Sequence, residues 1–119
     1  MCTGTKGAYN ELIAATDLMK CGYHVFRSLS PSCPFDLVVF SGRKSLHVEV
    51  RTAQRYTCLN GKRRINFSRN GEHDGLAHIY AVVHDGTVYY MRAEIDSIRG
   101  ITDDDPRLIK PENLFVALQ

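Results

Sequence analysis

Residues 35–51 constrain the fold more than any other part of the chain. Phe35-Asp36-Leu37-Val38-Val39-Phe40 is a short apolar run with one carboxylate near its start. Its length and β-branched content mark a buried strand. Leu46-His47-Val48-Glu49-Val50-Arg51 alternates with period two, so Leu46, Val48 and Val50 share one face and His47, Glu49 and Arg51 the other. Ser41-Gly42-Arg43-Lys44 between the runs is turn material. Two strands with so short a connection form a hairpin.

The flanking segments extend that hairpin into a domain. Thr5 to Cys21 reads as a helix, with Tyr9, Leu12, Ile13, Thr16 and Met19 as an apolar stripe and Gly22 as the stop. Tyr23 to Ser28 reads as a strand, and two prolines within Ser30-Pro31-Ser32-Cys33-Pro34 make a loop. Residues 52–63 read as irregular or briefly helical, with Asn60-Gly61 a turn, and Arg64 to Ser68 as a possible strand. Ile79 to Val83 and Thr87 to Met91 form a second hairpin around His84-Asp85-Gly86. Ala93 to Arg99 reads as a short helix, Thr102 to Pro106 as an acidic loop, and Leu114-Phe115-Val116 as the part of the tail that docks on the core. The order predicts one α/β domain of mixed α+β type, residues 1–119, with a central mixed sheet flanked by helices.

No apolar run reaches the roughly 18 residues of a membrane span. The N-terminus lacks an apolar stretch of signal-peptide type, so the mature chain is expected to begin there and to be cytoplasmic. Cys2, Cys21, Cys33 and Cys58 show neither CxxC nor zinc-finger spacing, which disfavours tight zinc binding and a disulfide scaffold. The thiols are expected to be reduced, with Cys21 buried against a helix end.

The net charge of +2 hides an asymmetry. Residues 51–69 hold six basic residues (Arg51, Arg55, Lys62, Arg63, Arg64, Arg69) and no acid, whereas residues 70–119 hold four basic and nine acidic residues. A nearly neutral chain with one basic stretch points to a local anion site, the alternative being a solvated loop. Tyr56 and Phe67 lie in the same stretch, as stacking residues or as core.

Period two sets Glu49 and Arg51 side by side, and the short hairpin brings Asp36 within reach. Two carboxylates converging on a sheet are costly unless a cation or a proton separates them. Oxygen ligands of this kind suit Mg²⁺ or Mn²⁺, and a nearby fixed positive charge stabilises a phosphate under attack. On the residues alone, an exposed Glu49–Arg51 pair with Asp36 capping a turn is equally a reading.

Pro34-Phe35-Asp36, a hairpin, then Glu49-Val50-Arg51 resembles the P-D…(D/E)-x-K motif of the PD-(D/E)XK nuclease superfamily. Lys6-Gly7-Ala8-Tyr9-Asn10-Glu11, then Leu18, Gly22, Tyr23 and Val25, resemble its first helix and the exit from it. Thr52-Ala53, then Asp74 ahead of the Ala81-Val82-Val83…Val88-Tyr89-Tyr90 hairpin, resemble the branch with archaeal Holliday-junction resolvases and a group I intron homing endonuclease. The match covers roughly residues 6–91. It implies a restriction-endonuclease-like fold and a Mg²⁺-dependent (or Mn²⁺-dependent) endonuclease acting on DNA, RNA remaining open.

The resemblance assigns the metal to Asp36 and Glu49, with the Val50 carbonyl beside them. Glu11 is a further ligand, direct or through water, or a carboxylate that merely complements the helix dipole. Arg51 stands where the superfamily has lysine. A guanidinium keeps its proton, so Arg51 can orient water or clamp a phosphate but cannot act as a base. The alternative function is therefore a catalytically impaired nucleic-acid-binding module of the same fold. Gln54, Arg55, Lys62, Arg63, Arg64 and Arg69, with Arg51, are the expected nucleic-acid contacts. His47 shares the Glu49 face, and His73 and His78 flank Asp74; each reads more simply as an ordinary polar or packed histidine. One site per chain cuts one strand, so a homodimer is expected.

Overall fold

The two expected hairpins form the body of a mixed sheet. The computed structural model describes residues 3–30, 33, 35–53, 55–59, 62–68, 76–93 and 97–118, with side chains except those of 3, 55–59, 62, 63, 66–68 and 97–100. Helix α1 (Thr3–Lys20) leads into β1 (His24–Arg27), β2 (Leu37–Phe40) and β3 (Ser45–Thr52). Then come β4 (Arg55–Leu59), β5 (Lys62–Ser68), β6 (Ile79–His84), β7 (Thr87–Arg92) and β8 (Ser97–Ile101). A 3₁₀ turn, Pro111–Asn113, runs into the short α2 (Leu114–Ala117). The result is one α+β domain with a five-stranded sheet in the order β1-β2-β3-β6-β7 and a three-stranded sheet in the order β4-β5-β8.

All neighbours in the large sheet are antiparallel except β3 and β6, which run parallel with Glu49 opposite Tyr80 and Arg51 opposite Val82. Parallel neighbours cannot be joined by a tight turn. The chain between them instead forms the β4–β5 ribbon on the face opposite α1. The β6–β7 turn places Asp85 and Gly86 at φ 49° and 81°, the left-handed pair of a two-residue hairpin. Gly22 at φ 91° ends α1, its N–H bonded to the Met19 carbonyl at 3.0 Å.

Each sheet face has its own core. On the helix side Ala14 and Leu18 of α1 and Leu114 of α2 pack with Leu37, Val39, Leu46, Val48, Ile79, Ala81 and Val83. On the other side Tyr80, Val82, Tyr89 and Met91 pack with Ile65 and Ile101 of the small sheet. The docked tail is Leu114, fully buried, and Phe115, whose ring lies 5.6 Å from that of Tyr23. Val116 faces solvent. Among the described residues no helix is long and apolar enough to cross a membrane.

Several expectations are corrected. The buried row of α1 is Asn10, Ala14 and Leu18, while Tyr9, Leu12 and Met19 are each about half exposed. Small Ala14 lets the helix sit close to the sheet, and Asn10 is buried because its Nδ2 donates to Thr52 Oγ1 at 2.8 Å. Residues 55–59, read as irregular, are a strand because β5 pairs with them through a complete ladder. The helix expected over 93–99 does not hold in its described part: Ser97–Ile101 is the edge strand on β5, so tertiary pairing overrides local preference there, and residues 94–96 lie outside the described residues. Cys21 is half-buried rather than buried, and Cys21 and Cys33 are free thiols. The Asn60-Gly61 turn and Cys2 lie outside the described residues.

The exchange of faces on α1 has a measurable consequence. Leu18→Ala should cost about 2–5 kcal/mol of stability, the usual range for truncating a buried leucine. Leu12→Ala should cost less than about 1 kcal/mol. Urea denaturation of both variants checks this, and equal costs would contradict the packing.

Candidate active site

Three strand segments meet at one end of the large sheet. β1 ends at Arg27, β2 begins at Leu37, and β3 continues past Val48, the partner of Leu37, to Thr52. Asp36 stands in the gap so formed. Its carbonyl accepts from the Ser28 N–H at 3.0 Å, and its own N–H donates to the Val48 carbonyl at 2.9 Å. Its carboxylate Oδ2 accepts from the Val50 N–H at 2.7 Å. A side chain thus satisfies a β3 amide beyond the end of β2, and this fixes where the carboxylate lies.

Glu49 is the β3 residue between the two that Asp36 holds. Its Oε1 accepts from Arg51 Nη2 at 2.9 Å, with both side chains mostly buried. Arg51 Nε is also buried and has no hydrogen-bond partner among the described residues. The Asn10–Thr52 bond pins the first half of α1 against the end of β3, so Glu11 faces the same region. Glu11 Oε1 lies 3.6 Å from Arg27 Nε.

These groups feel one another. Burial pushes the Asp36 carboxyl above its ordinary pKa, against the Val50 N–H and the charges of Arg51 and Arg27. Burial also raises Glu11, and the Asp36 charge raises it further, with Arg27 opposing. Three carboxylates therefore share two guanidiniums in a partly desolvated place. Among the described residues no three His, Cys, Asp or Glu side chains are gathered as a ready metal-holding group. Glu11 and Glu49 each lie against an arginine, and Asp36 against an amide. The chemistry of the three side chains, all oxygen donors with one negative charge in excess of the two guanidiniums, is the kind a hard divalent cation takes, though here they are turned to arginines and an amide rather than to one point.

Of the remaining candidates, Arg64 lies on β5, half-buried, with Nε lacking a hydrogen-bond partner among the described residues. Arg55, Lys62 and Arg63 stand on the β4–β5 ribbon, and their side chains lie outside those described. Pro34, Gln54, Arg69, His73 and Asp74 lie outside the described residues. The His47 ring stacks on Phe35 with centroids 4.0 Å apart, and the His47 backbone N–H donates to His78 Nδ1 at 2.9 Å. Its own Nδ1 lies 3.0 Å from the Leu76 carbonyl. This pair ties β3 to the approach of β6, and burial together with the His47 ring lowers the His78 pKa. Arg27 was missed in the sequence, where nothing distinguishes it from an ordinary strand-end cation. Only the β1–β2 register places it opposite Leu37, the neighbour of Asp36.

No family model matches the sequence, and no curated protein matches it. Among solved structures the chain is similar to that of a bacterial homing endonuclease, I-Ssp6803I, with a TM-score of 0.68 and 19% sequence identity. The likeness covers 99% of this chain and 92% of that one, so the whole fold is shared.

The strained carboxylate gives a prediction. The folded pKa of Asp36 lies above its unfolded value, so its charge costs stability at neutral pH. That cost disappears as pH falls through the folded pKa. Asp36→Asn keeps an oxygen for Val50 and should stabilise the fold by about 1 kcal/mol at pH 7. The gain should be gone below about pH 4. Denaturation midpoints at the two pH values check it, and a destabilised variant at pH 7 would contradict it.

Proposed function

We propose that this chain is a DNA endonuclease of the PD-(D/E)XK type, in the branch with Holliday-junction resolvases and a group I intron homing endonuclease. The observation that carries the reading is the meeting of Asp36, Glu49 and Arg51 at one end of the sheet, with Glu11 beside them from α1. The fold shared with a homing endonuclease supports it. Asp36 and Glu49, with the Val50 carbonyl and Glu11, are the residues that would hold Mg²⁺ or Mn²⁺. Such an ion would polarise the phosphate and ease the loss of a proton from the attacking water.

The protein's own part is placement. The Asp36–Val50 bond fixes one carboxylate relative to the β3 backbone, and the Asn10–Thr52 bond fixes the helix that carries Glu11. Arg51 keeps its proton, so it donates hydrogen bonds to the attacking water or to a phosphate oxygen. The ribbon that follows β3 carries the basic stretch, and its cations supply affinity through the backbone phosphates. Two copies of the chain cut two strands, and a C₂ homodimer in the cytoplasm is the form we propose.

One observation favours a second reading, a binding module that no longer cuts. Arg51 is engaged with Glu49 itself, so the residue in the lysine position neutralises a proposed ligand.

Single-turnover cleavage of labelled duplex and junction DNA with Mg²⁺ and Mn²⁺ decides between the two. Asp36→Ala and Glu49→Ala should abolish both cleavage and Mn²⁺ binding. Arg51→Lys should keep or raise the rate, and Arg51→Ala should lower it on the order of a hundredfold. A wild type that binds but cuts nothing, with Arg51→Lys active, selects the binding module. Arg51→Ala cutting at the wild-type rate removes Arg51 from the site.

The ribbon is tested separately. Arg63→Ala with Arg64→Ala should weaken DNA binding and flatten its log–log salt dependence by about 0.9 for each phosphate no longer neutralised. An unchanged slope would make the stretch an ordinary solvated ribbon.

A further inference from the structure

The two guanidiniums of the site are held differently. Arg51 lies at hydrogen-bond distance from Glu49, and 22% of its side chain is exposed. Arg27 lies at a looser 3.6 Å from Glu11, and 49% of its side chain is exposed. A half-exposed pair at that distance contributes little to stability, so exchanging its partner costs little. Arg27 also ends β1 beside residues that face solvent: Phe26 is 60% exposed and Leu29 98%. Hydrogen bonds along β1 and β2 set Arg27 opposite Leu37, next to Asp36. The result is a planar cation at the open rim of the carboxylate cluster. A guanidinium there matches two phosphate oxygens at once.

Glu11 is the carboxylate that Arg27 pairs with at 3.6 Å, while the Asp36 charge also feels the same guanidinium. It is the one carboxylate of the three carried by the helix rather than the sheet, and its counter-charge is Arg27. Another cation on Glu11 weakens the attraction that holds the guanidinium against the carboxylates. Resting on the nuclease reading above, we propose that Arg27 is a phosphate-contacting residue and that its ion pair with Glu11 is an exchangeable latch. With a divalent cation held at Glu11, the guanidinium would be free to contact a DNA phosphate. The latch couples metal and nucleic acid: each occupant favours the other, because each takes one half of a pair that otherwise closes on itself.

The test uses the full chain, a labelled duplex in chelator, and Mn²⁺ alone. Glu11→Gln keeps the shape of the side chain and opens the latch without metal. It should tighten metal-free DNA binding several-fold and steepen the log–log salt slope by about 0.9, the increment of one phosphate. Arg27→Gln in the same background should cancel that gain, a coupling that a double-mutant cycle reads directly. In the Mn²⁺ titration without DNA, Arg27→Gln alone should bind several-fold more tightly, since a competing cation is gone. Arg27→Lys should retain most of the DNA affinity. A pair that merely staples α1 to β1 predicts the opposite: looser Mn²⁺ binding in Arg27→Gln and no DNA gain in Glu11→Gln. Either result overturns the latch while wild-type DNA binding leaves the nuclease reading standing. A wild type that binds no DNA overturns both.

Discussion

The parallel pairing of β3 with β6 is the constraint from which the rest of the molecule follows. Strands that run the same way need a crossover, and here the crossover is a ribbon that lies on the face opposite α1. Buried Ile65 and Ile101 hold the ribbon's sheet against Tyr80, Val82, Tyr89 and Met91. The β6–β7 half of that face is thereby covered. On the β1–β2 half, Phe26 stays exposed, and the rings of His24 and Phe40 lie 6.4 Å apart. Asp36, Glu49 and Arg51 lie near the boundary, and the basic stretch begins at Arg51 itself. One topological necessity thus places both the carboxylates and the cations proposed to serve them.

The charges at that boundary are arranged at the expense of stability. Burial raises Asp36 and Glu11, and both carboxyls remain raised although arginines stand beside them. Apolar residues of similar volume would hold such a place at least as well as ion pairs do. Groups kept in this condition beside an open rim are consistent with the site proposed here. Structural polar contacts elsewhere in the molecule differ in kind. Tyr90 donates to Asp17 at 2.6 Å and Tyr89 to Asp103 at 2.8 Å, each closing one buried hydroxyl on one carboxylate.

The legible parts of the sequence were those where a local pattern and the final packing agree. The two hairpins, the helix and its stop at Gly22 all have periods and turn residues that their tertiary contacts reinforce. The small sheet was not legible. β4 and β8 carry no clean alternation: β4 exists because β5 folds back on it as a neighbouring strand, and β8 because β5 offers it a ladder from far along the sequence. The stripe on α1 misled because size, not hydrophobicity, chooses the face that meets the sheet: Ala14 allows close approach and Leu12 does not need it. At the site, the side-by-side placement of Glu49 and Arg51 follows from period two alone. The contribution of Arg27 does not, because it depends on register across a loop containing prolines.

Arginine in place of lysine at residue 51 shifts the demand for a base elsewhere. An ammonium in a desolvated site can be brought close to losing its proton, and a guanidinium cannot. In a nuclease built this way, the proton of the attacking water falls to a carboxylate or to solvent. An ordinary carboxylate is a poor acceptor at neutral pH, and one with a raised pKa is better matched. Glu11 meets that condition: burial and the Asp36 charge both increase its hold on a proton, and about a quarter of its side chain still reaches solvent. Arg27 opposes both effects without cancelling them. In the proposed latch a divalent cation would hold Glu11 once Arg27 leaves, so Glu11 would then serve as a ligand and the proton of the water would fall to solvent or to another carboxylate.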